Sequence, residues 1–464
     1  MKTTLLAIAA VVLGLAAPCP PTQGADVAPM PPAVGSAENG DGPQIGFAAD
    51  APSQSASPAP AATALATSPN AATAAAPAEP APAALAAPLP PEQWRLPEAK
   101  ALKELGIQQY GWLEQGATFN SLGPTNRWNG PVICNDRSNE YEMNQLWFGW
   151  ERKVKTDGCG WDIGGRFDMA YASDWRYGDC YGLESKIDAP NHLYGFVLPQ
   201  FYLEVGYNDL TVKMGHYAAC IGYEIVAAPG NFFYSHSYAL GYSEPVLVTG
   251  LQADYKFNDQ WNFIGGFHDG FNGFEDPNGM LHFLGGAKWH NDERKVSLSL
   301  VTDIGPQYAA DDQQFLYSLV FKKQVSEKLL YAFEQVLGGT ENVSSTTPGG
   351  YAKWYGLDQY LIYTLNPCWS AGARAEVFRD QNGSRVAGLG SVGVDGWPAD
   401  PGFAGTFTEV TLGLNWRPHP NFVVRPECRW DCYSGSTNHQ DQLPFGDGTR
   451  SSQFLFATDL IFNF

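Results

Sequence analysis

Ser235, His236 and Ser237 stand side by side, an imidazole flanked by two hydroxyls. Acyl-transfer chemistry uses that pair of groups, with a carboxylate to orient the imidazole. Neighbours along a chain rarely meet in triad geometry, and the sequence identifies no acid partner, so a hydrolase is only a minor alternative. Residues 275–279, Glu-Asp-Pro-Asn-Gly, offer oxygen donors of the kind calcium takes. They lack the full loop spacing and read as a turn. No His-Glu-x-x-His or Cys-x-x-Cys pattern marks a zinc site. The expectation is no catalytic residue, no metal and no cofactor.

A second set of charged groups recurs at every other position. Arg425, Glu427, Arg429 and Asp431 alternate with Pro426, Cys428 and Trp430. Arg166 with Asp168, and Arg374 with Glu376, follow the same spacing, and Glu204 and Lys213 sit on the polar side of similar runs. Charges so placed either line an aqueous path and bias which ions pass, or form a self-satisfied ladder along a wall.

The elements carrying them decide between these roles. A period of two is that of a β-strand with unlike faces. Residues 294–303, RKVSLSLVTD, set Val296, Leu298 and Leu300 against Lys295, Ser297, Ser299 and, after Val301, Asp303. Runs of about ten residues suit strands that cross a bilayer at a tilt. Sixteen such runs follow residue 106, joined alternately by short and long connections. The expected fold is all-β: a transmembrane antiparallel up-and-down β-barrel of about 16 strands, with 14 or 18 as neighbouring alternatives. Trp112, Trp161, Trp354 and Trp416, near run ends, suit interfacial girdles. A soluble β-sandwich is the competing fold. The strict short–long alternation and the aromatic end of the chain count against it.

Composition agrees. Glycine occurs 50 times and aromatics make up 13% of the chain, against 16% charged residues, which suits strands and turns over helices. A formal charge of -20 argues against binding nucleic acid, which needs a basic patch, and suggests a mild cation preference for a channel. Residues 1–24 read as a secretory signal peptide: Lys2, then an apolar run too short to span a bilayer. Residues 25–91 are rich in Ala, Pro and Ser and read as a disordered spacer. Residues 92–105 read as a short periplasmic helix or linker, and 106–464 as the barrel.

The third long connection, about 220–245, is apolar and aromatic for an exposed loop. It is expected to fold into the barrel, bringing Glu224, Asn231, Tyr234, Ser235 and His236 to a constriction. The alternative is an outer loop packed on the rim. Seven cysteines follow residue 24. Cys134, Cys180 and Cys220 fall in or beside long loops, where a disulfide staple is plausible in an exported protein. Cys428 and Cys432 lie too far apart on one strand to bond to each other. They are expected to face lipid.

Residues 161–178, WDIGGRFDMAYASDWRYG, carry a Gly-Arg-x-Asp strand leading into a Tyr-x-x-Asp-Trp-Arg-like segment. Residues 210–259 carry Ile-Gly-Tyr-Glu followed by Asn-Phe-Phe-Tyr-Ser. These stretches resemble the OmpL-like β-barrel porin family, the β-barrel porin 2 group common in planctomycete-type bacteria. The resemblance covers about 105–464 and implies an outer-membrane channel. The closing face of Leu460, Phe462 and Phe464 resembles the signal by which outer-membrane proteins are recognised for barrel insertion. The expected function is a porin for passive diffusion of small hydrophilic solutes or ions. A plugged structural or adhesive barrel, and less so an outer-membrane hydrolase, are the alternatives. Expected partners are outer-membrane lipid, the barrel assembly machinery and small hydrophilic solutes, and a homo-oligomer is compatible with a barrel of this size.

Overall fold

The computed structural model describes residues 93–464 except 98, 188–192, 277, 308–312, 342–349, 387–401 and 439. The signal-peptide and spacer readings fall on 1–91, outside the described residues. A five-residue helix, Lys100–Glu104, precedes the strands. Just before it, Trp94 exchanges two hydrogen bonds with the Asn421 side chain (2.9 and 2.8 Å), at a short turn of the sheet.

Sixteen strands follow. They are β1 Gln108–Asn120, β2 Tyr141–Arg152, β3 Trp161–Ala172, β4 Gly195–Tyr207, β5 Leu210–Ala218, β6 Leu247–Lys256, β7 Trp261–His268 and β8 His282–His290. Then come β9 Val296–Pro306, β10 Gln313–Ser326, β11 Leu329–Glu341, β12 Tyr351–Asn366, β13 Trp369–Asp380, β14 Gly405–His419, β15 Phe422–Gly435 and β16 Ser452–Asn463. Each pairs antiparallel with its chain neighbours, and β1 pairs with β16, so the sheet is a closed barrel. Closure leaves no sheet edge unpaired, a requirement for any sheet in a bilayer. At the seam Gly111 and Phe464 exchange backbone hydrogen bonds of 3.0 and 2.9 Å.

Turn chemistry sets one end of the barrel. Asn258 Oδ1 accepts the N–H groups of Gln260 and Trp261 (both 2.8 Å), and Asn366 Oδ1 those of Cys368 and Trp369 (2.9 and 3.1 Å). Short Asx side chains thus close tight hairpins. The other end carries the long loops.

Burial alternates along the strands. Outward positions hold Trp161, Ile163, Leu203, Met214, Leu300, Leu412, Phe454 and Phe456, all exposed. A continuous apolar exterior of this kind belongs against hydrocarbon. Inward positions hold the charges. In β12, Ala352, Trp354, Asp358 and Tyr360 face inward and Tyr355 and Leu357 outward. The girdle reading is corrected for two tryptophans. Trp161 and Trp416 are outward and exposed. Trp112 is buried, stacked on Trp147 and bonded to Gln145, while Trp354 is fully buried and donates to Ser243 Oγ (3.1 Å). Their strand parity overrides their position near a strand end. No helix among the described residues is long and apolar enough to cross a membrane.

Candidate functional site

The loop 219–246, between β5 and β6, runs inside the barrel. A loop at this depth has irregular backbone whose N–H and C=O groups need partners, because buried backbone groups left unpaired are costly. Irregular backbone inside a membrane barrel is tolerated where protein or water satisfies it. Here the wall charges supply the partners.

Glu427 accepts the N–H groups of Tyr234 and Ser235 (2.9 and 3.1 Å). Glu376 accepts those of Tyr238 and Ala239 (both 2.8 Å). Arg425 donates to the carbonyls of Ala228, Asn231 and Phe233 (3.1, 3.0 and 2.9 Å). Arg429 donates to the His236 carbonyl (2.6 Å), and Arg374 to the Ser235 carbonyl (2.7 Å). Side chains add to this: Tyr234 Oη donates to Asn144 (2.8 Å) and Tyr238 Oη to Asp431 (2.9 Å). The loop therefore lies along the wall of β11–β16, β1 and β2, while Ile221 near its start packs on Ile264, Leu284, Val301 and Leu316 of β7–β10. Two glycines make room for it. A Cβ at Gly372 would collide with the Phe232 ring, and one at Gly116 with Tyr234.

The same charges also pair with one another. Arg425 reaches Glu114 (2.7 Å) and Asp459 (3.0 Å), Arg429 reaches Asp431 (2.8 Å), and Arg374 reaches Glu409. Within the loop, Glu224 bonds Arg374 (2.8 Å), His236 Nδ1 (2.9 Å), the Ser237 N–H (3.0 Å) and Tyr360 Oη (3.0 Å). Burial opposes the Glu224 charge, but the Arg374 guanidinium and the His236 imidazole override it and hold the carboxyl down at about 2.

All ten charges singled out in the sequence occupy inward positions, and seven have the protein itself for cover. Asp168, Arg374, Glu376, Arg425, Glu427, Arg429 and Asp431 are buried. Arg166, Glu204 and Lys213 keep partial exposure. Arg166 pairs with Asp168 (2.6 Å), which also takes the Tyr110 hydroxyl (2.7 Å). Glu204 and Lys213 face each other in the β4–β5 register, and the Lys213 ammonium lies 4.2 Å from the Tyr217 ring centroid. In the loop, Glu224, Tyr234, Ser235 and His236 are buried and Asn231 is half-buried. Further inward polar groups on β6, β7, β8 and β10, namely Asp254, Asn262, Lys288 and Lys322, are also partly exposed. Period-two alternation reaches them as well, and the sequence reading passed over them.

The barrel cross-section is thus unequal: a loop-covered wall on one side, and on the other a wall along β4–β10 that is polar and partly open over its short-turn half and buried toward the long loops, at His216, His268, His282, Asp303 and Leu316. His236 does find an acid, Glu224, contrary to the sequence reading. A hydrolase still gains nothing. Ser235 Oγ takes its bond from Arg374 (3.0 Å), Ser237 Oγ accepts the Leu240 N–H (3.1 Å), and both serines are buried. Asp276 accepts the Asn278 and Gly279 N–H groups (2.9 and 2.7 Å).

The loop-staple expectation is corrected too: Cys134, Cys180 and Cys220 are free thiols. Cys220 Sγ donates to Gln252 (3.2 Å), Cys180 Sγ lies 3.8 Å from His216, and Cys134 packs with Tyr238 and Tyr242. Each contacts an element distant in sequence and not another cysteine. Cys428, on the outward side of β15, is also free.

A family model described as "Putative beta-barrel porin-2, OmpL-like" matches residues 106–464. Among solved structures, the chain is similar to the outer membrane channel DcaP of Acinetobacter baumannii, at 9% identity, over 77% of this chain and 97% of that one, TM-score 0.49. It is similar to the anion-selective porin from Comamonas acidovorans, at 8% identity, over 77% and 99%, TM-score 0.49. It is also similar to outer-membrane expressed OmpT of Vibrio cholerae, at 10% identity, over 77% and 97%, TM-score 0.48. No curated protein matches the chain.

Proposed function

Because the chain belongs to the OmpL-like β-barrel porin-2 family, we propose that this outer-membrane barrel is a porin for passive diffusion of small hydrophilic solutes and ions. The observation that carries the reading is the unequal lumen. Solutes pass between the inward loop and the wall of β4–β10, where Glu204, Lys213, Asp254, Asn262, Lys288 and Lys322 are partly exposed. The loop, with Glu224, Asn231, Tyr234, Ser235 and His236, sets the width of the passage. No step of bond making is involved, and the chain is not an enzyme.

Lumen charge tunes selectivity in such barrels. The exposed wall carries both signs, so the overall charge of -20 translates into only a weak bias. Replacing Lys213 and Lys288 together by glutamine leaves Lys322 as the one lysine of that set beside Glu204 and Asp254. The reversal potential in a salt gradient shifts toward cation selectivity. An unchanged potential would mean these lysines do not line the path.

A plugged barrel is the second reading. It is favoured by the packing of Ile133, Tyr238, Tyr242, Phe403 and Phe445 in one apolar cluster that joins several long loops to the wall. In either case the outward face of Leu460, Phe462 and Phe464 serves as the recognition signal for barrel assembly. Residues 1–24 direct export, and 25–91 act as a spacer.

A further inference from the structure

We propose that His268, His282 and Asp303 form a binding site for one divalent transition-metal ion of the imidazole-preferring kind, such as Zn²⁺. The site is separate from the loop seat, and the inference does not depend on what the channel carries.

Three adjacent strands supply the donors. His268 on β7 and His282 on β8 are directly opposite in register. Asp303 on β9 pairs with Leu284, two residues along from His282, and so shares its face on the diagonal. All three are fully buried inward residues. Asp303 Oδ2 lies 2.6 Å from His268 Nε2, and Oδ1 lies 2.6 Å from His282 Nδ1. One donor atom from each residue falls within 4.8 Å of the others, and no other group of three such donors does so among the described residues. The linear motif search missed the cluster because its members come from separate strands.

Donor chemistry selects the ion. Two imidazole nitrogens and one carboxylate suit zinc, copper or nickel, whereas magnesium and calcium take oxygen alone. Such ions hold their donors at about 2.0–2.2 Å, which sets two donors on one ion about 3 Å apart. The 2.6 Å contacts need to open by only a few tenths of an ångström. Strand pairing holds the three Cα positions, so the site is organised before the ion arrives.

The second nitrogen of His268 fits this reading. His268 Nδ1 lies 3.2 Å from both the carbonyl and the N–H of Gly270. Without an ion, the Gly270 N–H donates to Nδ1 and the His268 Nε2–H donates to Asp303 Oδ2. With an ion, the proton sits on Nδ1 and the Gly270 carbonyl accepts it, freeing the Nε2 lone pair. Metal-bound histidines commonly make such an outer hydrogen bond. His282 Nε2 is buried and has no hydrogen-bond partner. Asp269, next to His268 and half-exposed, and the exposed Asp276 set negative charge in the loop at the same strand ends. They attract a cation toward the cluster.

The test uses the full-length protein folded into detergent micelles with Zn²⁺ present, then passed over a mild chelating resin. Metal content by mass spectrometry is expected to be one zinc per chain for the wild type. His282→Gln and Asp303→Asn, checked for folding by heat-modifiable gel mobility, are expected to lose that zinc, with affinity down by at least about tenfold. A wild type that retains no zinc overturns the proposal, as do variants that retain as much. If the variants fail to fold, Cu²⁺-loaded wild type gives the answer by electron paramagnetic resonance. Nitrogen couplings from two imidazoles support the site, and their absence overturns it.

Discussion

Replacing residues 224–243 by a short glycine–serine link raises the single-channel conductance severalfold. The loop fills the space beside β11–β16, β1 and β2, and a sixteen-stranded barrel without it encloses a wide aqueous lumen. The deletion leaves the barrel's own hydrogen bonds in place, since every strand pairs with strands and not with the loop. Nor does it strand buried charge. Water enters as the loop leaves, and Arg425 keeps Asp459 and Glu114, Arg429 keeps Asp431, and Arg374 keeps Glu409. The expected product is a folded, heat-modifiable barrel with larger current steps. Unchanged step size in a folded variant would mean that the loop does not narrow the path.

Arg374→Met has the opposite character: it keeps the loop and removes one of the side chains that hold it. The Arg374 side chain is fully buried. It serves Glu224, Glu409, the Ser235 carbonyl and hydroxyl, and the His236 carbonyl. Removing one member of a buried ionic group leaves the others uncompensated, a loss of about 3–5 kcal/mol. Denaturant titration of the folded barrel at neutral pH should show that loss.

The same substitution has a pH signature. Glu224 is held at about 2, below its ordinary 4.5, so its pairing with Arg374 contributes fully above pH 4.5 and fades as pH falls toward 2. The difference between wild type and variant is expected to be level from neutral pH to about 5 and to shrink below that. A difference that grows on acidification would contradict the pairing.

Alternation along a strand tells which face a side chain takes, and for this chain it also fixes the architecture. Val296, Leu298 and Leu300 against Ser297, Ser299 and Asp303 are enough to read β9 as a strand with an apolar outside. Sixteen such runs ending at Phe464 are enough to read a closed barrel. Alternation does not tell what covers an inward face. Arg425 and Lys213 look alike in the sequence, yet one is buried against three loop carbonyls and the other is partly exposed beside Tyr217. The difference lies in the path of a loop between β5 and β6, a contact from about 200 residues away. Trp354 shows the same limit. Its place near a strand end suggested a membrane interface, but its parity and Ser243 put it inside. His268, His282 and Asp303 were invisible for a related reason: strand register, not spacing along the chain, brings them together.

In the proposed porin, water runs past the loop along the wall of β4–β10 while hydrocarbon surrounds the apolar exterior. Single-channel recording of the intact, folded protein in a planar bilayer tests it most directly. Discrete current steps in salt are expected, smaller than those of the protein with the shortened loop. A silent membrane, with insertion of the folded barrel verified separately, would contradict it and leave the barrel plugged.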